Sequence, residues 1–303
     1  MLPSTSSLFR SSGAPLADDP VAINHRAWDR LVVAVMAIEF VILYAPTVSW
    51  LFDRWTMSVW HNAHGLLIPP VVAYFAYQEL KPLAALPSSS SRWGFAFLIP
   101  ALALHAFDAG IHTQLLSAVG LILALPGLSL LLMGTARTRA IAFPLAFLAF
   151  ALPIPLAFTE QIHWQLRQIV TAGTAAGISA LGLPIFVEGT TLHMSRGAVE
   201  VADACSGFST LYAAAAVACL TAYSAGTTTR KALVLLSAAP LAIGANVLRV
   251  MALALLVEWK GPAVLDTFLH PLSGMLTFAL ALPVIFWLGG DSRDVKAAPQ
   301  PRP

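Results

Sequence analysis

Charge is what this chain has least of. Only 11% of its 303 residues are Asp, Glu, Lys or Arg, and 58% are hydrophobic, whereas soluble domains carry about a quarter charged residues. That excludes an ordinary water-soluble globule and points to a protein that crosses a membrane several times. A formal net charge of +2 gives no reason to expect a nucleic-acid partner. Cysteine is scarce too, with Cys205 and Cys219 the only two. If the segment between them is helical, they stand about 21 Å apart. A bridge needs Cα atoms within roughly 7 Å, so a disulfide is excluded. Residues 1–30 hold no apolar run but do hold Asp18, Asp19 and Asp29, so no cleavable leader is expected; the run from Leu31 is read as an uncleaved anchor.

What is present is apolar length. Eight spanning helices are expected near 31–51, 64–80, 93–107, 114–133, 140–158, 207–225, 232–257 and 274–290, an all-α polytopic fold. The second and third are short for a bilayer that asks for about 20 residues. Pro100, Pro126, Pro144, Pro153, Pro155, Pro240 and Pro283 fall inside these runs, where neighbouring helices can re-satisfy the freed carbonyls. The cations take sides. Twelve lie in loops on one face, from Arg10 to Arg302 and including Arg137, Arg139, Arg230 and Lys231. Four lie on the other (Arg54, Arg167, Arg196, Lys260), and Arg249 alone lies within a span. The excess puts both termini, residues 1–30 and 291–303, in the cytoplasm. The domain between them, 31–290, then carries one long extracytoplasmic loop, 159–206. In that loop Ile162–Leu181 reads as an interfacial or re-entrant helix, because a full crossing would invert every later loop. From Pro184 to Val201, short alternating runs broken at Glu188-Gly189 and Arg196-Gly197 predict a β-hairpin or three-stranded cap.

Candidate chemistry gathers at the end of this loop. Cys205 lies where a polar segment meets an apolar helix, and a thiol there feels the positive end of the peptide dipoles, which favours the thiolate. Arg249 lies about 12–15 Å below Trp259 if its helix is straight, a depth that argues for a partner inside the bundle over simple snorkelling. Asn246 precedes it by three residues, on nearly the same face. His270 opens the last span on the same side of the membrane. A thiol nucleophile, a cation for an oxyanion and a proton carrier are the parts of acyl transfer. His64, Glu200, Asp203 and Ser206 are candidate supporting residues, with Asp203 favoured as a cap for the following helix. His61 and His64 have metal-ligand spacing, but nothing nearby completes a set, so no metal and no other cofactor is expected.

Taken together, Glu200-Val-Ala-Asp-Ala-Cys-Ser-Gly207, Ala245-Asn-Val-Leu-Arg249, His270 with Ser273-Gly274, and Ala63-His-Gly-Leu-Leu-Ile-Pro69 resemble the exosortase/archaeosortase family of integral-membrane cysteine transpeptidases. The resemblance runs through roughly residues 60–285 in the same order. It implies a triad of Cys205 as nucleophile, Arg249 and His270. It further implies secreted protein substrates ending in a short motif (Pro-Glu-Pro in the best-known class), a hydrophobic helix and a basic end. The other partners expected are membrane lipid and an acceptor nucleophile. Two other readings compete. In the first, a transporter or flippase for polysaccharide precursors uses Arg249 to hold an anionic group. The second is a rhomboid-like serine protease using Ser206 or Ser209, for which the expected Gly-x-Ser-x-Gly is absent.

Overall fold

The interior of this protein is made of small residues and its exterior of large apolar ones. Ala101, Ala118, Ala214, Ala218 and Ala254 are fully buried, while Ile42, Leu236, Leu280 and Trp287 are two-thirds exposed or more. That inverts a water-soluble core. It suits a bundle in lipid, where close backbone approach takes over from hydrophobic exclusion. The structure is a computed structural model that describes residues 20–57, 62–87, 89–202 and 205–290; for 20–30, 156, 270 and 271 it describes the backbone alone.

Nine helices and one small sheet follow in order among the described residues: α1 (Pro20–Thr56), α2 (Ile68–Leu80), α3 (Gly94–Ile111), α4 (Leu115–Ala140), α5 (Ala142–Phe147), α6 (Leu156–Ala180), β1 (Phe186–Glu188), β2 (Thr191–Met194), β3 (Gly197–Glu200), α7 (Phe208–Ser224), α8 (Thr228–Lys260) and α9 (Leu269–Gly289). Five of them, α1, α3, α4, α8 and α9, are long and apolar enough to cross a membrane. The all-α polytopic expectation holds at that level, but the count of eight does not follow. α2 has 13 residues and α7 has 17. The run expected to span at 140–158 is a six-residue α5 closed by a 3₁₀ turn, Leu148–Ala151. Pro153 and Pro155 account for that break. They lack amide protons and push the residues before them out of helical geometry, and Leu152 is already extended.

α6 is longer than expected and begins at Leu156, with Pro155 as its N-cap residue. It is not among the helices apolar enough to cross. One stripe of it, Leu166, Val170, Thr174 and Ile178, is buried. The cap predicted at 184–201 is a three-stranded antiparallel sheet in the order β1-β2-β3. Its register sets Leu192 opposite both Val187 and Val199, and Leu192 and Val199 turn inward. Val199 packs with Ile178, Ala254 and Val257; Leu192 packs with Val170, Val201, Cys205 and Val250. Arg196, in the β2–β3 turn, donates from its guanidinium to the carbonyl of Trp259 at 3.0 Å and from its amide to the Glu258 carboxylate at 3.2 Å. The sheet is thus seated between α6 and the C-terminal end of α8, and it ends five residues before Cys205 in sequence.

Candidate functional site

Cys205 sits in the loop between β3 and α7 and is 7% exposed. Two features fix that loop from the side of α8. The Asn246 side-chain amide donates to the carbonyl of Cys205 at 2.9 Å, from a residue with no solvent exposure at all. Two residues on, Gly207 has φ +84 and lies directly against Asn246: a Cβ on it would stand 2.7 Å from Asn246 Cγ. Only glycine both adopts that backbone without strain and leaves room for the amide. The Cys-Ser-Gly and Asn-x-x-Arg segments, forty residues apart in sequence, are therefore two halves of one contact.

Arg249 follows one turn below Asn246 on α8. Its Nε donates to Ser273 Oγ of α9 at 3.0 Å, and its charge acts on Cys205. Gly274 stands beside it, where a Cβ would touch the guanidinium carbon at 3.6 Å. Arg249 and Ser273 open onto a groove of about 850 Å³ between α8 and α9, lined otherwise mainly by apolar side chains such as Leu241, Leu248, Leu276 and Leu280. An arginine in an apolar groove requires hydrogen-bond acceptors, and the groove offers few of its own.

Burial pushes the Cys205 thiol above its ordinary range, and the positive charge of Arg249 opposes this only in part. The helix-terminus argument, which favoured the thiolate, is therefore outweighed. α7 starts three residues later, with Gly207 as its N-cap, and the apolar wall of Val170, Leu192, Val201 and Val250 raises the cost of a buried charge.

Of the other expected residues, the structure gathers some and separates others. Asn246 bonds the carbonyl of Cys205, Ser206 follows it in the loop, and Arg249 acts on it through its charge. His270 belongs to the first turn of α9, one turn before Ser273, and its side chain lies outside the described residues. Asp203 lies outside them as well. Glu200 is exposed at the end of β3, on the face opposite buried Val199. His64 does not touch Cys205 directly. It meets the site through a row of rings: His64 edge-on to Tyr212 at 5.0 Å, Tyr212 stacked with Phe208 at 6.2 Å, and Phe208 against His163 at 4.6 Å. Its neighbour Gly65 lies against the Trp55 indole, whose Nε1 donates to the carbonyl of Ala151 at 2.8 Å. The His-Gly pair, in the turn before α2, thus packs against α7 through Tyr212 and against α1 through Trp55, which in turn bonds the 3₁₀ turn after α5. His61 lies outside the described residues.

One residue escaped the sequence reading. His163, on α6, has its Nδ1 3.0 Å from Ser206 Oγ. The signal was there, since His163 continues the stripe of Leu166 and Val170 at helical spacing. It went unread because helical spacing does not say that Ser206 lies across from that face.

Comparison with known proteins adds one match. A family model described as transmembrane exosortase covers residues 55–287, well over half of the chain. No curated protein and no solved structure matched the chain significantly.

Proposed function

The chain belongs to the transmembrane exosortase family, and on that premise we propose that it is a membrane-embedded cysteine transpeptidase with Cys205 as its nucleophile. The observation that carries this reading is that one stretch of α8 both holds the Cys205 carbonyl, through Asn246, and carries Arg249, whose charge acts on the thiol and whose side chain lines the groove between α8 and α9. The substrate is a secreted protein whose C-terminal signal combines a short motif, an apolar helix and a basic end. Its apolar helix lies in the groove, and the peptide bond above it reaches Cys205 at the extracytoplasmic surface of the inner membrane. The excess of cations in the opposite loops supports that orientation.

In this mechanism His270 accepts the Cys205 thiol proton, and the resulting thiolate attacks the carbonyl carbon while the π electrons move to oxygen. Arg249, held at Nε by Ser273 and lining the groove, stabilises that oxyanion. The tetrahedral centre collapses to a thioester, and His270 donates a proton to the departing amine. An amine acceptor, or water, then attacks the thioester, and its proton returns to His270. The desolvated thiol fits this sequence. It stays protonated and shielded until substrate binds, and the proton that His270 gains from the acceptor returns to it at the end, so no permanent thiolate is exposed to alkylation.

The test is processing of a co-expressed reporter ending in Pro-Glu-Pro, an apolar helix and arginines. Cys205→Ala and Cys205→Ser both abolish the band shift in this mechanism. The open groove with Arg249 on its wall also suits a lipid-linked anionic cargo, as in a flippase. That second reading predicts that Cys205→Ser keeps activity and Arg249→Ala loses it.

A further inference from the structure

The loop that carries Cys205 is held from two sides. From α8, Asn246 holds the carbonyl of Cys205. From α6, the contact goes to the next residue: His163 Nδ1 lies 3.0 Å from Ser206 Oγ, and Ser206 is 1% exposed. The same Oγ accepts the amide proton of Phe208 at 3.3 Å. A hydroxyl has one proton and two lone pairs, so Ser206 can bond the Phe208 amide and His163 together, in either imidazole tautomer. The Phe208 ring, packed on the imidazole at 4.6 Å, holds the ring plane in place.

We propose that His163 is a positioning residue of the transpeptidase site. Through Ser206 it fixes the Cys205–Gly207 loop against α6, so that the nucleophile is presented in one geometry. The inference rests on Cys205 being the nucleophile but assigns a role to a histidine that the triad does not contain. His163 acts at one remove, through Ser206 and the backbone that Ser206 shares with Cys205. The two anchors come from different elements, one under the sheet and one lining the groove. The loop therefore registers the relative position of α6 and α8, and a substrate that shifts either helix moves the thiol. α6 and α8 are in turn joined through close contacts of Gly173 with Val247 and Gly177 with Met251.

The test uses iodoacetamide as the probe and the full-length protein in a Cys219→Ser background, reading Cys205 alkylation by mass spectrometry. A thiol that is 7% exposed reacts when its loop opens. Losing one hydrogen bond raises the open population by roughly two- to ten-fold. His163→Ala is expected to speed alkylation by that factor. His163→Asn, whose amide reaches the position of Nδ1, restores the parent rate. Ser206→Ala matches His163→Ala, and the double variant is no faster than either single one, as for two ends of one contact. Arg196→Ala, which loosens the sheet from α8 elsewhere, leaves the rate unchanged and so separates local from general loosening. A parental rate in His163→Ala overturns the proposal. So does failure of the asparagine rescue, additivity of the two variants, or equal acceleration by Arg196→Ala. Reporter processing by Cys205→Ala would instead remove the nucleophile assignment, and the alkylation result does not depend on it.

Discussion

Two antiparallel helix pairs in this protein each contain a charged side chain that hydropathy alone would call misplaced, and they treat it in opposite ways. In α3–α4 the charge is Asp108, 2% exposed. One carboxylate oxygen accepts from the amide and hydroxyl of Thr113, the other from the amide of Ser117 at 3.0 Å. The carboxylate closes the turn and satisfies the first amides of α4, a capping role reached from the preceding helix. In α8–α9 the charge is Arg249, held at Nε by Ser273 and otherwise facing an open groove. The first pair also has its backbones in contact: a Cβ on Gly120 would stand 2.7 Å from the carbonyl oxygen of Ala101, and one on Gly94 2.5 Å from that of Gly127. The second leaves about 850 Å³ between its helices. An intramembrane charge is thus a site when its hydrogen bonds are left for a partner, and a cap when the fold completes them.

The largest effect that could break this contrast is on rate. Arg249→Ala is expected to lower reporter processing by about 10²–10³-fold, the range for losing one oxyanion donor, with little change in melting temperature. Asp108→Ala is expected to do the reverse. It leaves the amides of Thr113 and Ser117 without their acceptor and lowers stability by about 1–3 kcal/mol, while processing per folded molecule stays within about two-fold. Thermal melting in detergent alongside the processing assay measures both. If Arg249→Ala is the variant that melts early, the arginine is a packing element, and the contrast between the two pairs collapses.

A smaller effect sharpens the comparison at two glycines. Gly120→Ala drives a methyl into a backbone carbonyl and is expected to cost about 1–3 kcal/mol by overpacking. Gly274→Ala meets the Arg249 guanidinium at an ordinary contact distance of 3.6 Å. It is expected to leave stability unchanged or raise it by up to about 1 kcal/mol, since alanine is the better helix former. Any loss there falls on processing, because the new methyl narrows the space in front of the guanidinium. Equal melting losses at both glycines would show that α9 is packed as tightly as α3.

Much of this arrangement was legible in the sequence, and the gaps have physical reasons. The sheet was readable because its turns are marked by glycine and its strands alternate; Gly189, with φ +60, sits where the β1–β2 turn was expected. α4 kinks where the fourth span was expected to end: Gly134 leaves helical geometry at φ +79, and the helix resumes beyond it to Ala140. The length of the fifth expected span was misread because hydropathy does not register a missing amide proton. Pro153 and Pro155 are apolar residues that end helices. The contact of Asn246 with Gly207 was not readable. Helical spacing puts Asn246 and Arg249 on one face, yet nothing in it says which loop that face meets. His163 was lost for a similar reason: its importance depends on Ser206 lying across from it, and that is a property of tertiary packing.

The smallest effect concerns protons, and it tests whether the arginine acts on the thiol at all. Burial among Val170, Leu192, Val201 and Val250 disfavours the Cys205 thiolate, and the charge of Arg249 partly offsets this. The net direction is upward, so the pH midpoint for iodoacetamide alkylation of Cys205 lies above that of an ordinary thiol, and the rate climbs on the alkaline side. Removing the cation removes the offset. In Arg249→Ala, with Cys219→Ser to silence the other thiol, the midpoint moves further up and alkylation at neutral pH slows. Asp108→Ala, in the closed pair, leaves the profile where it was, because its carboxylate is committed to the amides of its own turn. The sign is what discriminates here. A midpoint that falls in Arg249→Ala would mean that the substitution admitted water to the thiol and that desolvation had been the arginine's main effect. A midpoint that does not move would leave the open groove without an electrostatic link to Cys205, and the two helix pairs would then differ in packing alone.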